Sequence, residues 1–141
     1  MSIDIRPFAR ADTDAVIALW HAARLTRPWN DPHRDIERKL AVQPELFLVA
    51  DDAGAVVGSV MAGYDGHRGW LYYLASDPAR RGQGIARALV TVAEERLLAM
   101  GCPKVQLMVR PDNDGAQGFY DALGYEPFDT WATGKRLIAD A

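Results

Sequence analysis

The chain has 141 residues, 49% of them hydrophobic and 25% charged, with a formal net charge of −3 at pH 7, which predicts one ordinary globular domain spanning residues 1–141. The negative charge argues against nucleic acid or an anionic membrane surface as the main partner, and no apolar run approaches the ~20 residues of a membrane span. A single cysteine excludes an intramolecular disulfide, and the first residues lack a signal-peptide pattern, so we expect a cytoplasmic protein.

The first half of the chain predicts a strand, two helices and a hairpin. Residues 3–8 alternate between apolar and polar side chains, as a half-buried strand does, and Asp12 is a candidate N-cap for the helix that follows. Asp31-Pro32 places a capping residue before a proline, which predicts the start of a second short helix. The apolar runs 46–50 and 55–64 flank a turn and predict two antiparallel strands.

A strand, a glycine-rich turn and a helix follow one another at the centre of the chain. The apolar run 70–76 predicts the strand, and residues 85–100 predict an amphipathic helix. Between them lies Arg81-Gly82-Gln83-Gly84-Ile85-Ala86. In this geometry backbone N–H groups at the start of the helix face one anion, the glycines allow close approach, and nearby arginines add positive charge. The turn therefore predicts a site for a phosphorylated cofactor.

The turn departs from the two common nucleotide motifs. No Gly-Lys-Ser/Thr of a Walker loop occurs, and Arg87 stands where a dinucleotide fingerprint has its third glycine. What remains, Arg-x-x-Gly-x-Ala, is by itself equally typical of an ordinary tight strand-to-helix turn. A phosphate-loop nucleotide binder therefore stays open as an alternative at this point.

The last part of the chain predicts one more strand at 104–109, a helix around 116–123, and a final antiparallel pair of strands at 125–128 and 131–138. The element order is then β-α-α-β-β-β-α-β-α-β-β, an α/β (α+β) mixture with a mostly antiparallel sheet. The two strands on either side of helix 85–100 should be parallel, because a helix connects them.

Two motifs make the chain resemble the GCN5-related N-acetyltransferase (GNAT) superfamily. Its pattern is a strand, then Arg/Gln-x-x-Gly-x-Gly/Ala opening a helix, a further strand, and then Asn-x-x-Ala-x-x-Phe/Leu-Tyr-x-x-x-Gly-Phe/Tyr. Residues 81–86 match the first motif and residues 113–125 the second. The resemblance covers essentially the whole chain, and residues 28–32, 64–69 and 101–104 look like the small bacterial YpeA-type branch. It implies the GNAT fold, a mixed sheet of six to seven strands flanked by about four helices.

The resemblance implies acetyl-CoA as the acetyl donor and no metal. The diphosphate would lie on the N–H groups of the turn, and the pantetheine arm would bond to the preceding strand as an added strand does. Asn113 would bond the pantetheine, cap the helix that follows, or do both. The expected cofactor-binding residues are Leu74, Ala75, Ser76, Arg81, Gly82, Gln83, Gly84, Ile85, Ala86, Arg87, Asn113 and Tyr120.

Tyr120 is the expected catalytic residue, acting as a general acid. Attack of an amine on a thioester expels a thiolate, and a tyrosine with a pKa of about 10 is suited to stabilise or protonate a thiolate whose thiol has a pKa of about 8.5. Its place on an apolar helical stripe is also typical of core packing. The surrounding motif favours the catalytic role.

No general base is evident. The strands before the two motifs carry Tyr72, Tyr73 and Met108 where many members of the superfamily have a glutamate. A water relay to backbone carbonyls stays open, as do three aspartates elsewhere in the chain, Asp31, Asp35 and Asp65. At pH 7 a lysine amine is neutral in under ~0.1% of molecules and an α-amine in roughly 14%. The missing base therefore favours an α-amine or another weakly basic amine as the acceptor.

In the superfamily two loops border the acceptor site, and here they are residues 28–32 and 64–69. Aromatic faces beside carboxylates suit a cationic amine. The substrate candidates are Trp29, Asp31, Asp65 and Tyr72, with Asn30, Tyr64 and His67 nearby. The simpler interpretation is that Asp31 caps its helix, Trp29 packs and Asp65 forms a turn.

The resemblance and the residues together predict direct transfer of an acetyl group to a primary amine of a small molecule or peptide, through a ternary complex. The three histidines have no metal-ligand spacing, and Cys102 is more typical of a packing residue than of an acyl carrier. The alternative is a non-catalytic acyl-CoA sensor or interaction module on the same fold. Because members of the superfamily often dimerise, a homodimer is among the expected partners.

Overall fold

A five-stranded mixed sheet organises the chain, and the computed structural model describes residues 3–140. The strands are β1 (Asp4–Pro7), β2 (Phe47–Asp52), β3 (Ala55–Tyr64), β4 (Gly69–Ser76) and β5 (Val105–Gln106). The helices are α1 (Thr13–Ala22), α2 (Pro32–Leu40), α3 (Ile85–Ala99) and α4 (Asp114–Ala122). The strands lie in sequence order, with antiparallel pairs up to β4 and a parallel pair between β4 and β5. The predicted α/β class and the parallel pair around α3 are confirmed.

The sheet separates two hydrophobic clusters, one under α3 and one under α1 and α2. Strand β2 supplies both, because successive side chains of a strand point to opposite faces. Leu48 and Ala50 pack with Leu89 of α3, whereas Phe47 and Val49 join the cluster that contains Trp20 and Ile36. The sheet is therefore covered on both faces, and only its edges and strand ends are available for a site.

The two candidate helix caps behave differently. Asp31 caps α2 as predicted, and its carboxylate accepts a hydrogen bond from the His33 N–H at 2.9 Å. Asp12 makes no side-chain cap on α1, so that prediction is wrong. Its carboxylate instead pairs with Arg6 at 2.8 Å and accepts from the Ala9 N–H at 2.8 Å. An arginine at this distance competes successfully for the oxygens that a cap would use.

Strand β4 contains a bulge at its middle. Ser59 of β3 pairs with Ala75 and Met61 pairs with Tyr72, so Tyr73 and Leu74 together oppose a single residue of β3. Tyr73 adopts a φ of 51°, in the left-handed region that non-glycine residues rarely occupy. The bulge turns the Tyr73 side chain towards α1 and α2, where its ring stacks on Trp20 with centroids 3.8 Å apart.

A short hydrogen-bond chain holds this bulge. The buried Ser59 hydroxyl donates to the Tyr73 carbonyl at 2.9 Å and accepts from the Trp20 indole N–H, also at 2.9 Å. A buried hydroxyl satisfied on both sides fixes the geometry of its neighbours. The unusual backbone of Tyr73 is therefore supported from within the core.

The parallel pair of β4 and β5 is brief. Only Gly69 with Val105 and Trp70 with Gln106 are paired, after which the two chains part. The strand predicted over 104–109 is thus confirmed for two residues only. Beyond Trp70, the outer edge of β4 has no strand partner among residues 3–140.

The sheet has fewer strands than the six to seven expected. Residues 126–138 form no strand with any described residue, so the strands predicted at 125–128 and 131–138 are absent from the described structure. A two-residue β5 offers almost no edge to pair with, and Pro127 lacks the N–H that a ladder needs. Instead, Asp140 anchors the segment on α2, where its carboxylate pairs with Arg38 at 2.6 Å and accepts from the Asp31 N–H at 2.8 Å.

None of the helices within residues 3–140 has both the length and the apolar character needed to cross a lipid bilayer.

Candidate active site

A groove of about 690 Å³ opens where α2, the end of β3 and the bulge of β4 meet. We call it the central groove. It is lined by Leu25, Arg27, Trp29, Asn30, Asp35, Arg38, Lys39, Val42, Met61, Ala62, Gly63, Tyr72, Tyr73, Met108 and Arg110. Met108 and Arg110 follow β5, so the groove reaches the place where β4 and β5 part.

The gap between β4 and β5 exposes one edge of β4. The predicted cofactor contacts Leu74, Ala75 and Ser76 lie on this stretch, beyond the last pair with β5. An unpaired strand edge presents backbone donors and acceptors in a row, which an amide-containing chain can bind as an added strand. The bulge at Tyr73 and Leu74 interrupts the regular ladder with β3 at the same point.

The glycine turn lies at the end of this edge, at the start of α3. Gly82 and Gly84 have φ values of 82° and 77°, and a Cβ on either would meet no other atom within 4 Å. The turn is thus open to solvent and needs glycine for its backbone conformation. The first intrahelical hydrogen bond runs from the Ala88 N–H to the Gly84 carbonyl at 3.0 Å. The N–H groups of residues 85–87 therefore have no partner within the helix, and such groups at a helix N-terminus are suited to bind an anion.

The arginines around the turn have different surroundings. Arg80 forms an ion pair with Asp52 of β2. Arg81 and Arg87 are exposed, with no ion pair to another described residue. The turn thus keeps two arginine charges beside its backbone N–H groups, and the third is engaged by the sheet.

Tyr120 lies on α4 and is half buried. Its ring packs edge-on against Phe119 and Tyr125, with centroids 5.1 and 5.3 Å away. Burial raises the pKa of Tyr120 to about 12, so its hydroxyl is protonated at neutral pH and can donate a hydrogen bond. No residue within 3–140 accepts from it, whereas the neighbouring Tyr125 hydroxyl donates to Glu94 at 2.6 Å. Tyr120 does not line the central groove.

Asn113 caps α4, and its side-chain oxygen accepts a hydrogen bond from the Ala116 N–H at 3.0 Å. This confirms the capping half of its predicted role. The cap leaves the side-chain NH₂ group of Asn113 without a partner among the described residues, so it has a donor available for a ligand.

The groove holds one carboxylate, Asp35. Its Oδ2 accepts from the Tyr73 hydroxyl at 2.6 Å and its Oδ1 accepts from Arg38 at 3.2 Å. Burial, with the hydrogen bond to Asp35, raises the pKa of Tyr73 well above its ordinary value. Both oxygens of Asp35 are therefore already shared before any ligand binds.

The predicted substrate candidates divide into two pairs. Trp29 and Tyr72 line the groove and are half exposed, at 53% and 48%. Asp31 and Asp65 are not among its lining residues. Asp31 caps α2, and Asp65 closes its own turn by accepting from the N–H groups of residues 67 and 68 at 2.8 and 2.7 Å. These backbone hydrogen bonds lower the pKa of Asp65.

Sequence reasoning missed the cations of the groove. Four basic side chains line it, Arg27, Arg38, Lys39 and Arg110, against the single carboxylate of Asp35. The signal was weak, because all four lie in loops or in the last turn of α2 and look like ordinary solvated charges. Only the folding of α2 over β3 brings them to one place.

Within residues 3–140 no three side chains of the His, Cys, Asp or Glu type come together in a way that could hold a metal ion.

Comparison with known proteins gives extensive matches. The model of the acetyltransferase (GNAT) family matches residues 15–125. An acetyltransferase of Yersinia enterocolitica is 56% identical over 138 residues, which cover 98% of this chain and 98% of that protein. An acetyltransferase of Pectobacterium atrosepticum shows the same identity and coverage. Both sequence motifs lie inside these matches.

Solved structures share the fold. Ard1 from Thermoplasma volcanium has a TM-score of 0.78 at 25% identity, covering 92% of this chain and 86% of its own. AAC(6′)-Iy in complex with the bisubstrate analogue CoA-S-monomethyl-acetylneamine has a TM-score of 0.80 at 19% identity, covering 98% of this chain and 100% of its own. At 19% identity the second likeness concerns the fold alone.

Proposed function

The chain belongs to the acetyltransferase (GNAT) family, and we propose that it moves an acetyl group from acetyl-CoA directly to a primary amine. One observation carries the choice of donor: the free N–H groups that open α3 lie at the end of the unpaired edge of β4. CoA joins a diphosphate to a chain of amides, so it fits a phosphate-binding turn that lies next to an unpaired strand edge. The CoA complex of the fold neighbour AAC(6′)-Iy supports the same donor.

We assign the donor contacts by chemistry. The N–H groups of the turn 82–87 would hold the diphosphate, with Arg81 and Arg87 adding charge. The edge at 74–76 would bond the pantetheine amides, and the free amide group of Asn113 would add one hydrogen bond. When bound, the donor supplies an activated thioester carbonyl and a thiolate leaving group.

Tyr120 would stabilise the leaving thiolate. With a pKa of about 12 for Tyr120 and about 8.5 for a free thiol, full proton transfer is uphill by roughly 5 kcal/mol. Donation of a hydrogen bond carries no such cost and is strongest to an anion. We therefore infer that Tyr120 holds its proton and donates a hydrogen bond to the sulfur as charge develops there.

The charges of the groove support the proposed preference for a weakly basic acceptor. Its one carboxylate, Asp35, already accepts from Tyr73 and Arg38, so no unshared carboxylate faces an incoming ammonium group. An amine that is partly neutral at pH 7 needs no strong base. We propose an α-amine or another weakly basic amine, with water carrying the proton away.

Cys102 supports a direct transfer. It is buried, lies 3.4 Å from the Lys104 carbonyl oxygen and does not line the groove. A cysteine in this position is not placed to carry an acetyl group. Initial-rate kinetics should therefore show intersecting lines, as a ternary complex requires, and a Cys102→Ala variant should keep the wild-type rate if it folds.

The proposal is tested by following free thiol released from acetyl-CoA with a panel of primary amines. Peptides with a free N-terminus and a blocked lysine are compared with peptides blocked at the N-terminus. We expect turnover with the first set and little with the second. A strong preference for the lysine side chain would contradict the assignment of a weakly basic acceptor.

Ligand-induced stabilisation tests the donor separately. We expect CoA to raise the stability by roughly 2.7 kcal/mol at a hundredfold excess over its Kd, and ATP and NAD to have no effect. Binding of CoA without turnover of any amine would favour the acyl-CoA sensor. A cytoplasmic location and a homodimer stay predictions, which fractionation and light scattering can check.

A further inference from the structure

The central groove has a charge opposite to that of the whole chain. The chain has a formal net charge of −3, yet the groove is lined by four cationic side chains and one carboxylate. A basic groove in an acidic protein does not suit a simple cationic amine, because like charges repel at short range. The lining therefore indicates that something anionic binds there together with the amine.

Two of the four cations are already satisfied by the protein. Arg38 is shared between Asp35 and Asp140, at 3.2 and 2.6 Å. Arg27 donates to the carbonyl oxygens of Arg24 and Thr26 at 2.9 and 2.8 Å. Both arginines are thus held in place by protein acceptors.

Lys39 and Arg110 have no such partners. Neither forms an ion pair within 4 Å or a side-chain hydrogen bond with any residue in the range 3–140. They line the same groove from different elements, Lys39 from the last turn of α2 and Arg110 from the chain after β5. A ligand between these elements would meet both.

Lys39 is also partly removed from water. Its ammonium lies over β3, where a Cβ added to Gly63 would be 3.7 Å from the Lys39 nitrogen. This burial lowers the pKa of Lys39, and Glu45 opposes the effect only through space. A half-buried cation that makes no close ion pair is unfavourable in the free protein, and a bound anion would reduce that penalty.

We propose that the acceptor carries a carboxylate or phosphate group besides its amine, and that Lys39 and Arg110 bind this group. The inference rests on the proposed function and narrows its substrate class to amines bearing an anionic group. Trp29 and Tyr72 supply the aromatic faces against which the rest of the acceptor packs. The anion-binding pair thereby determines specificity and takes no part in the chemical step.

The experiment uses acceptors that differ only in the anion. Ala-Glu amide is compared with Ala-Gln amide, and phosphoethanolamine with ethanolamine. For the wild type we expect kcat/KM at least about tenfold higher with the charged member of a pair, from one or two charge-assisted hydrogen bonds. Comparing the two pairs shows whether the site prefers carboxylate or phosphate.

Two variants locate the effect. Lys39→Met keeps the buried methylenes and removes the charge, and Arg110→Gln removes an exposed charge with little risk to folding. Each should lower the ratio of kcat/KM between the charged and the neutral acceptor towards one, because the loss of affinity falls mainly on the charged acceptor. Arg34→Gln, an exposed cation of α2 outside the groove, is the matched control and should keep the wild-type ratio.

A binding measurement tests the anion site separately from the proposed acetyl transfer. Calorimetric titration of Ala-Glu amide and Ala-Gln amide into the CoA-saturated protein reports anion recognition without turnover. Equal affinity for the two peptides, or a preference that survives both variants, overturns the anion site while acetyl transfer can still stand. If the protein neither binds CoA nor releases thiol, the proposed function is wrong. In that case, titration of the two peptides without CoA still shows whether the groove binds the anion.

Discussion

Tyr120 combines a buried ring with a hydroxyl that no described residue uses. Its ring packs against Phe119 and Tyr125, whereas no residue within 3–140 accepts a hydrogen bond from the hydroxyl. Because burial raises its pKa to about 12, Tyr120 remains a hydrogen-bond donor well above pH 8, where an α-amine is already mostly neutral. The sequence motif located this residue, and its raised pKa supports the proposal that it acts by donating a hydrogen bond.

Replacing Tyr120 by phenylalanine removes the donor and keeps the ring. We expect kcat to fall by about 10²-fold, within the range known for loss of one transition-state donor, with the affinity for CoA unchanged. Steady-state kinetics and calorimetry measure the two quantities. Tyr125→Phe, which also loses one hydroxyl from the same aromatic cluster, is the control and should affect stability more than kcat. An unchanged kcat in Tyr120→Phe would leave Tyr120 as a packing residue.

The pH dependence follows from the sign of the Tyr120 shift. Because the pKa is raised to about 12 in the folded protein from about 10 in the unfolded chain, the neutral hydroxyl contributes stability below pH 10 that is lost as pH rises towards 12. Wild-type kcat should therefore show no loss from Tyr120 ionisation up to about pH 10. A rate that falls near pH 8.5 in the wild type but not in Tyr120→Phe would contradict this assignment.

At the scale of elements, the site is produced by the ways in which β4 departs from a regular strand. The bulge at Tyr73 redirects one side chain into the groove, and the early end of pairing with β5 leaves an open edge. Helix α3 then begins at the end of that edge. The edge proposed to bond the pantetheine amides and the turn proposed to hold the diphosphate therefore lie close together, because only residues 77–84 separate β4 from α3.

A substitution at Gly84 tests whether the start of α3 binds the phosphates of CoA. A Gly84→Ala change places an L residue at a φ of 77°, which costs about 1–2 kcal/mol of stability. A Cβ there also points into the open space where the phosphates would lie, so we expect the Kd for CoA to rise by at least about tenfold. Thermal unfolding and calorimetry give the two values.

Gly54→Ala is the matched control for this change. Gly54 has a φ of 94° and equally open surroundings in the turn between β2 and β3, so it incurs a similar conformational cost. The affinity of the Gly54→Ala variant for CoA should not change. If both variants lose CoA affinity equally, the effect arises from general destabilisation and the phosphate site is not at Gly84.

Across the whole molecule, sequence patterns correctly predicted the features that depend on residues close together in the chain. The cap at Asp31, the glycine turn and the helix after it all depend on residues close in sequence, and each is confirmed as structure. The bulge at Tyr73 could not be predicted, because it is held by Trp20 and Ser59, which lie far away in the chain. The acceptor side depends on such long-range packing throughout, so its basic lining became visible only in the folded chain.

The C-terminal segment shows the same limit. Residues 125–138 carry enough apolar side chains to resemble strands, and Trp131 and Leu137 remain 85% and 87% exposed because no strand within residues 3–140 pairs with this segment. What anchors the segment is instead the carboxylate of Asp140, which binds Arg38 and the Asp31 N–H. These two contacts attach the C-terminal segment to α2, the helix that lines the groove.

The contact of Asp140 with Arg38 and the Asp31 N–H should depend on pH. The hydrogen bond from Arg38, then that from the Asp31 N–H, lower the pKa of Asp140 to about 2, so its stabilising contribution is present above the ordinary aspartate value of about 3.9 and is lost as pH falls towards 2. The amide proton shift of Asp31 in NMR spectra should titrate with that low midpoint. In Asp140→Asn the titration should disappear, and trypsin should cleave after Lys135 and Arg136 faster at pH 7, because the segment has lost its ionic anchor. A midpoint near 3.9 in the wild type would show that Asp140 is not paired with Arg38.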